Sequence, residues 1–483
     1  MMETLISMCI NIFKEKRLKK TWMTSNRRII SIFAFFVVML YLFPIFGFSQ
    51  YMPEHIDDAW TLSWAHNWWS EGEIYDPVFG YLDGDGGTSL FSRSYVYVYG
   101  AILQFFDWTR GGAFLLSTIF LIGSAFLWKS IIKKLGYPSL VSWLFLLVLL
   151  SLETYFAAAH KTRVEALTFF LSSLAFWCFV KEHYFFSGFI AILAGETHPY
   201  GAVSFMYILG YCVLLVPRLW PQPKLLIKNV VVFLSGMALG IGYYLLLHGV
   251  YLSQAESLDG RIGGNVIWAY LFGFRFSWRH LPEALIWMVA LGSFLAAQRW
   301  KTDRFLLPFL VLTILFSVIF PRGNFHYMIY LYPPLILLIL TEAKHRKLTN
   351  WLVLGLFLFL LPQYILLYFD QRGYDHEAYV QSLREAVSEE QEIIYGHPNS
   401  WFAFYDREFY GPGYFSRANR PIEEWPSKMV VIENALLNRT GGEELLDIHR
   451  DAYDWELLTE LNNGPKGPTT IWHIEKRFSE VTE

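Results

Sequence analysis

Charge is what this chain has least of. Asp, Glu, Lys and Arg make up 17% of its 483 residues, against about 25% in soluble domains, too little to cover a globular surface. The formal net charge of -3 excludes the basic surface that nucleic-acid binding needs. Cysteine is also scarce. Cys9, Cys178 and Cys212 are the only three and lie before or within apolar runs, so they offer neither a disulfide framework nor a zinc site. No transmembrane repeat or low-complexity tract stands out, and without paired inverted repeats a transporter is disfavoured.

What the chain has in abundance is apolar and aromatic side chains, 54% and 19% of its residues. A membrane-spanning helix needs about 20 mostly apolar residues, and an Asp, Lys or Arg at its centre costs about 2.5–3.5 kcal/mol, so charge clusters between apolar runs report topology. Residues 1–28 carry seven Lys and Arg and form a basic segment expected in the cytoplasm, with Leu5–Phe13 able to lie on the membrane surface. A first span follows at 29–48, retained because no small-residue cleavage signature accompanies it. A first outer loop occupies 49–110, and further spans are predicted near 111–131, 139–159, 164–180, 184–197, 200–216, 227–247, 283–299, 305–320, 327–343 and 350–369. The expected fold is thus an α-helical polytopic membrane protein of about eleven transmembrane helices. Basic clusters fall at every second boundary, which predicts a cytoplasmic N-terminus and an outer C-terminus. Residues 370–483, in which acids outnumber bases about two to one, read as a small extracytoplasmic α/β domain. Its helix is expected at His376–Glu390 and its strands at EIIYG, KMVVIEN and TTIWHIE.

The chemistry-bearing residues gather at the outer boundaries. The stretch Tyr51–Trp69 contains adjacent acids, Asp57 and Asp58, ahead of Trp60, Trp64 and Trp68 at helical spacing. These Trp, like Tyr95 and Tyr99, are expected to lie at headgroup depth. Adjacent helix positions point about 100° apart, so one acid would face a substrate while the other anchors the helix. Arg93, Lys161, Arg163, Arg261, Arg275, Arg279 and Arg322 all map to the side where positive charge is depleted. As a set they suggest an anion such as a lipid phosphate, although each alone is explained as a loop cation. Glu165 in KTRVEAL either pairs with Arg163 or orients a substrate. His198 in GETHPYG is either a phosphate contact or a hydrogen-bonded turn residue. DGDGG at Asp83–Gly87 lacks the further ligands of a calcium loop, so a divalent metal is possible but not favoured.

These motifs, HIDDAW, SRSYVYVYGAIL, KTRVEAL, GETHPYG and PRGNFHYMIYLYPPL, in this order on this topology, resemble the GT-C superfamily over residues 29–345. Within it, they resemble most the group of the protein O-mannosyltransferases and aminoarabinose transferases. The resemblance implies an integral-membrane glycosyltransferase that uses no cofactor. It would move a sugar from a polyprenyl-phosphate donor to a hydroxyl of a glycan, lipid or protein acceptor on the extracytoplasmic face of the plasma membrane. It further implies Asp57 as catalytic base, Asp58 as the accompanying acid, Glu165 near the acceptor pocket and Arg93 on the donor phosphate. Lys161, Arg163, His198 and Arg322 complete the candidate substrate-binding set. His198 stands where the family commonly has Lys, and Ser94–Tyr95 replaces its usual Pro-Pro. A transporter or lipid flippase, or a noncatalytic envelope-assembly subunit, is the alternative reading.

Overall fold

In the computed structural model of the chain, the described residues are 23–43, 57–78, 92–248, 281–301, 305–319, 325–345, 374–387, 393–411, 425–434, 450–464 and 467–477, with isolated positions between them. Most are helical. The first helix, α1, runs Met23–Phe43, beginning inside the basic flank. In the loop at 49–110 follow α2 (Asp57–Glu71) and α3 (Arg93–Leu103). The long helix α4 (Arg110–Lys134) starts where the Thr109 side chain accepts from the Gly112 N–H and ends on Lys133 and Lys134, charges that suit the negative helix terminus.

The run 139–159, expected as one span, is two helices, α5 (Ser139–Ser151) and α6 (Glu153–Ala159), bent by 67°. Leu152 between them is extended. Glu153 gives the reason: an acid is costly in the middle of a span but favoured in the first turn of a new helix. Next come α7 (Glu165–Val180) and α8 (Tyr184–Thr197), a tight turn at Pro199–Ala202, α9 (Val203–Leu219) and α10 (Pro223–His248). The later helices are α11 (Leu281–Ala296), α12 (Leu306–Ile319) and α13 (Tyr332–His345). Among the described residues, α4, Pro199–Leu219 and α10 are each long and apolar enough to cross a bilayer, and the bent α5–α6 pair is a fourth candidate. The span expected at 350–369 lies largely outside the described residues.

Between helices in lipid, packing and hydrogen bonds must do what water-driven collapse does elsewhere. Trp128 of α4 shows how. It is fully buried, donates its indole N–H to Ser173 of α7 at 2.9 Å, and packs against Phe145, Phe176, Tyr207 and Phe309 of α5, α7, α9 and α12. The α8–α10 pair is closer still, because Gly188, Gly236 and Gly240 remove side chains from the seam. The outer face of α10 carries Leu234 and Leu246, 52% and 82% exposed, as a lipid-facing surface would.

In the C-terminal region, α14 (His376–Ala386) opens with the Asp375 side chain capping the Ala378 N–H, and it stops short of the expected Glu390. A five-stranded sheet follows, of β1 (Ile394–Gly396), β2 (Phe409–Tyr410), β3 (Lys428–Asn434), β4 (Tyr453–Leu461) and β5 (Thr469–Lys476). A short helix, α15 (Trp401–Phe404), sits between β1 and β2. Strand order is β2-β1-β3-β5-β4, parallel across β2-β1-β3 and antiparallel elsewhere. One apolar cluster joins this domain to the loop at 49–110, with Leu62, Ala65, Tyr95 and Trp108 in the same core as Tyr379, Trp401, Phe404 and Ile432. At their seam the Gly411 N–H donates to the Pro77 carbonyl at 2.9 Å.

A Cβ on Gly236 would fall 1.9 Å from the Phe185 carbonyl oxygen. Gly236→Ala is therefore expected to destabilise the protein by about 1–3 kcal/mol as an overpacked seam, read as a lowered unfolding midpoint in detergent. Gly242→Ala, with open space at its Cβ, should leave the midpoint within error.

Candidate active site

The acidic pair stands at the start of α2, and the two acids differ in what is described of them. The Asp57 side chain lies outside the described residues. Asp58 is 0% exposed. One of its carboxylate oxygens accepts from Nη2 and Nε of Arg110 at 3.0 and 3.2 Å, and the other accepts from the Thr162 backbone N–H at 3.3 Å. The Thr162 hydroxyl donates to the Asp58 carbonyl, and the Arg110 guanidinium lies over the Phe114 ring at 4.7 Å. A buried carboxylate is tolerable only when paired and hydrogen-bonded in this way. Asp58 thus ties the first turn of α2 to the start of α4 and to the 160–165 segment, which is an anchoring geometry.

That segment is gripped from three helices. Thr61 of α2 and Tyr95 of α3 both donate to the Thr162 carbonyl, at 2.8 and 2.6 Å, and Ser117 of α4 donates to the Lys161 carbonyl at 3.1 Å. Tyr95 and Tyr99 stack at 4.0 Å, fully buried, and Trp64 is 5% exposed. These rings lie in a protein core, packed with residues of the C-terminal domain, α4 and α7. Burial pushes the Tyr95 hydroxyl well above its ordinary pKa, keeping it a donor.

Downstream, Arg163 meets Glu165 through two nitrogens, Nε at 3.0 Å and Nη2 at 2.7 Å. His198, 8% exposed, lies in electrostatic range of Glu165. Its Nδ1 accepts from the Tyr200 N–H at 3.2 Å and its ring stacks on Tyr327, so it does hold the turn.

The acid of the same GETHPYG break, Glu196, organises α3. It is 1% exposed and accepts from the backbone N–H groups of Arg93 and Ser94 at 2.8 and 3.1 Å. Glu196 therefore caps the first turn of α3 from another helix, where a negative charge suits the helix dipole. His248, at the end of α10, sits 3.0 Å from the same carboxylate. Ser92 just ahead of α3 has φ +76°, and is held there by bonds to the Glu196 and Thr197 carbonyls. The Arg93 guanidinium donates to the Leu247 carbonyl at 2.6 Å.

The structure thus gathers Asp58, Lys161, Arg163, Glu165, His198 and Arg93 around the junction of α2, α3, α7 and α8. Arg322, Arg261, Arg275, Arg279 and the DGDGG turn lie outside the described residues. Among the described residues, no three His, Cys, Asp or Glu come together as a metal cage. Sequence reasoning missed Arg110, Glu196 and His248. Arg110 carried a signal, a cation at the start of an apolar span, and Glu196 lay inside a motif singled out for its histidine.

Two outcomes test this geometry. Arg110→Met leaves Asp58 buried without its cation and should cost about 3–5 kcal/mol; adding Asp58→Asn should recover part of that loss in unfolding measurements. His66 of α2 lies among the rings of Trp108, Trp401 and Tyr405, at 4.8, 5.8 and 5.4 Å. Burial lowers its pKa, against the opposing influence of Asn67, Glu71 and Asp406. The folded state then binds this proton less readily than the unfolded chain, so its contribution is complete above about pH 6.5 and is lost as pH falls through the lowered value. Thermal stability should drop on acidification in the wild type, and His66→Phe should flatten that part of the profile.

No family model matches the sequence, and no curated protein matches it. Solved structures do match. ArnT from Cupriavidus metallidurans in the apo state aligns with a TM-score of 0.61 and 11% identity, over 93% of this chain and 98% of that one. The same protein bound to undecaprenyl phosphate aligns at 0.59 and 10% identity, over 92% and 97%. An oligosaccharyltransferase from Archaeoglobus fulgidus aligns at 0.47 and 12% identity, over 95% and 76%. The chain therefore has the fold of ArnT.

Proposed function

We propose that this protein is an integral-membrane glycosyltransferase that moves a sugar from a polyprenyl-phosphate donor to an acceptor hydroxyl on the extracytoplasmic face. The observation that carries the reading is the ArnT fold over nearly the whole of both chains, together with an ArnT structure that holds undecaprenyl phosphate. The polar junction of α2, α3, α7 and α8 is consistent with it, since Asp58, Arg93 and Arg163 stand on the segments that meet there.

In this reading Asp57 takes the proton of the acceptor hydroxyl as its oxygen attacks the anomeric carbon. The bond from that carbon to the phosphate oxygen breaks, and polyprenyl phosphate leaves as the anion. A phosphate is a good leaving group, so the step needs a base and nearby cations more than a strong acid. A single displacement inverts the anomeric centre. Asp58, held by Arg110 and Thr162, acts as a positioning residue that fixes the first turn of α2 and with it Asp57.

Asp57→Ala is expected to lower transfer by about 10²–10⁴-fold while undecaprenyl phosphate binding persists. The measurement is mass spectrometry of envelope glycans and lipid-linked sugars in a deletion strain complemented with either form. Wild-type product levels from the variant would sink the assignment of Asp57.

A further inference from the structure

A cleft of about 280 Å³ lies between the start of α4 and helix α14 of the C-terminal domain. This is near the lower end of the ~300–1,000 Å³ of small-molecule sites, room for a compact ligand and not for a lipid chain. Its polar lining includes Asp107, Thr109, His376, Glu377, Gln381 and Arg384, and Phe402 and Tyr405 add aromatic surface. Arg110 lines it as well.

The charges decide the class of ligand. Beside His376, whose Nδ1 meets the Tyr374 hydroxyl at 3.2 Å, two acids face two arginines, and both arginines are already engaged. Arg110 holds Asp58, while Arg384 donates to the Ala403 carbonyl at 2.7 Å and lies over the Tyr405 ring at 5.1 Å. A phosphate site needs surplus positive charge, and this lining has none. Carboxylates and an amide that accept and donate, beside aromatic rings, suit an uncharged ligand rich in hydroxyls. The lip of the cleft is strained. Asp107 and Trp108 are consecutive non-glycine residues with φ +48° and +55°, a conformation that costs of order 1–3 kcal/mol each and tends to persist at functional sites.

Both walls touch α2. Arg110 reaches Asp58, the neighbour of Asp57, and Tyr405 meets His66 at 5.4 Å. We propose that the cleft binds an uncharged saccharide and, resting on the transferase reading, that this saccharide belongs to a glycan acceptor presented beside α2.

The test uses the full chain in lipid nanodiscs, with saturation-transfer NMR for maltose, lactose and chitobiose, and with glucuronate and inorganic phosphate as anionic probes. At least one neutral disaccharide should bind, and Glu377→Ala with Gln381→Ala should weaken it at least about tenfold, as expected for loss of a hydrogen bond to a charged group. Both side chains are exposed, and undecaprenyl phosphate binding checks that the variant is intact. No binding of any neutral disaccharide, tighter binding of the anions, or unchanged affinity in the variant would overturn the site. Saccharide binding without undecaprenyl phosphate binding or transfer would leave the cleft standing and remove the transferase reading; the reverse result would remove the cleft alone.

Discussion

The buried pairing of Asp58 with Arg110 is the constraint on which the junction of α2, α4 and the 160–165 segment depends. Two charges leave water only if they meet with good geometry, and here the meeting point brings together three stretches distant in sequence. The first turn of α2, the start of α4 and Thr162 cannot separate without stranding a carboxylate. The residue before Asp58 consequently sits on a fixed helix start, a form of preorganisation that would serve the base role proposed for it.

Glu196 plays a comparable part for α3. The free N–H groups at a helix start would ordinarily attract an anion, but those of Arg93 and Ser94 are taken by the protein's own carboxylate. Binding of a phosphate near α3 would therefore fall to side chains and not to the helix terminus. The same carboxylate meets His248, so the end of α10 is drawn into the arrangement.

Much of the fold was legible because long apolar runs leave the chain few choices: α4 and α10 lie close to their expected bounds. Strands β1, β3 and β5 were legible from their Ile and Val runs. Strand β4 was not, although YDWEL alternates: the segment is acidic and mostly solvent-facing, and its alternation breaks at the irregularity between Leu457 and Thr459, which weakens the signal of a half-buried strand. The bend at Leu152 had a local sign in Glu153, which the apolar flanks outweighed. In the site, the acidic pair and KTRVEAL were visible as motifs. Their partners were not, because Arg110 lies 52 residues from Asp58, and Glu196 lies 103 from Arg93. Local sequence carries no record of such pairings.

The seam at Gly411 has a consequence for how the protein can vary. A Cβ there would fall 2.2 Å from the Val78 carbonyl oxygen, so the C-terminal domain and the outer loop meet backbone against backbone. With a shared apolar core beneath that seam, a chimera that exchanged the domain alone would inherit mismatched halves of one surface. Loop and domain form the unit that must be transplanted together.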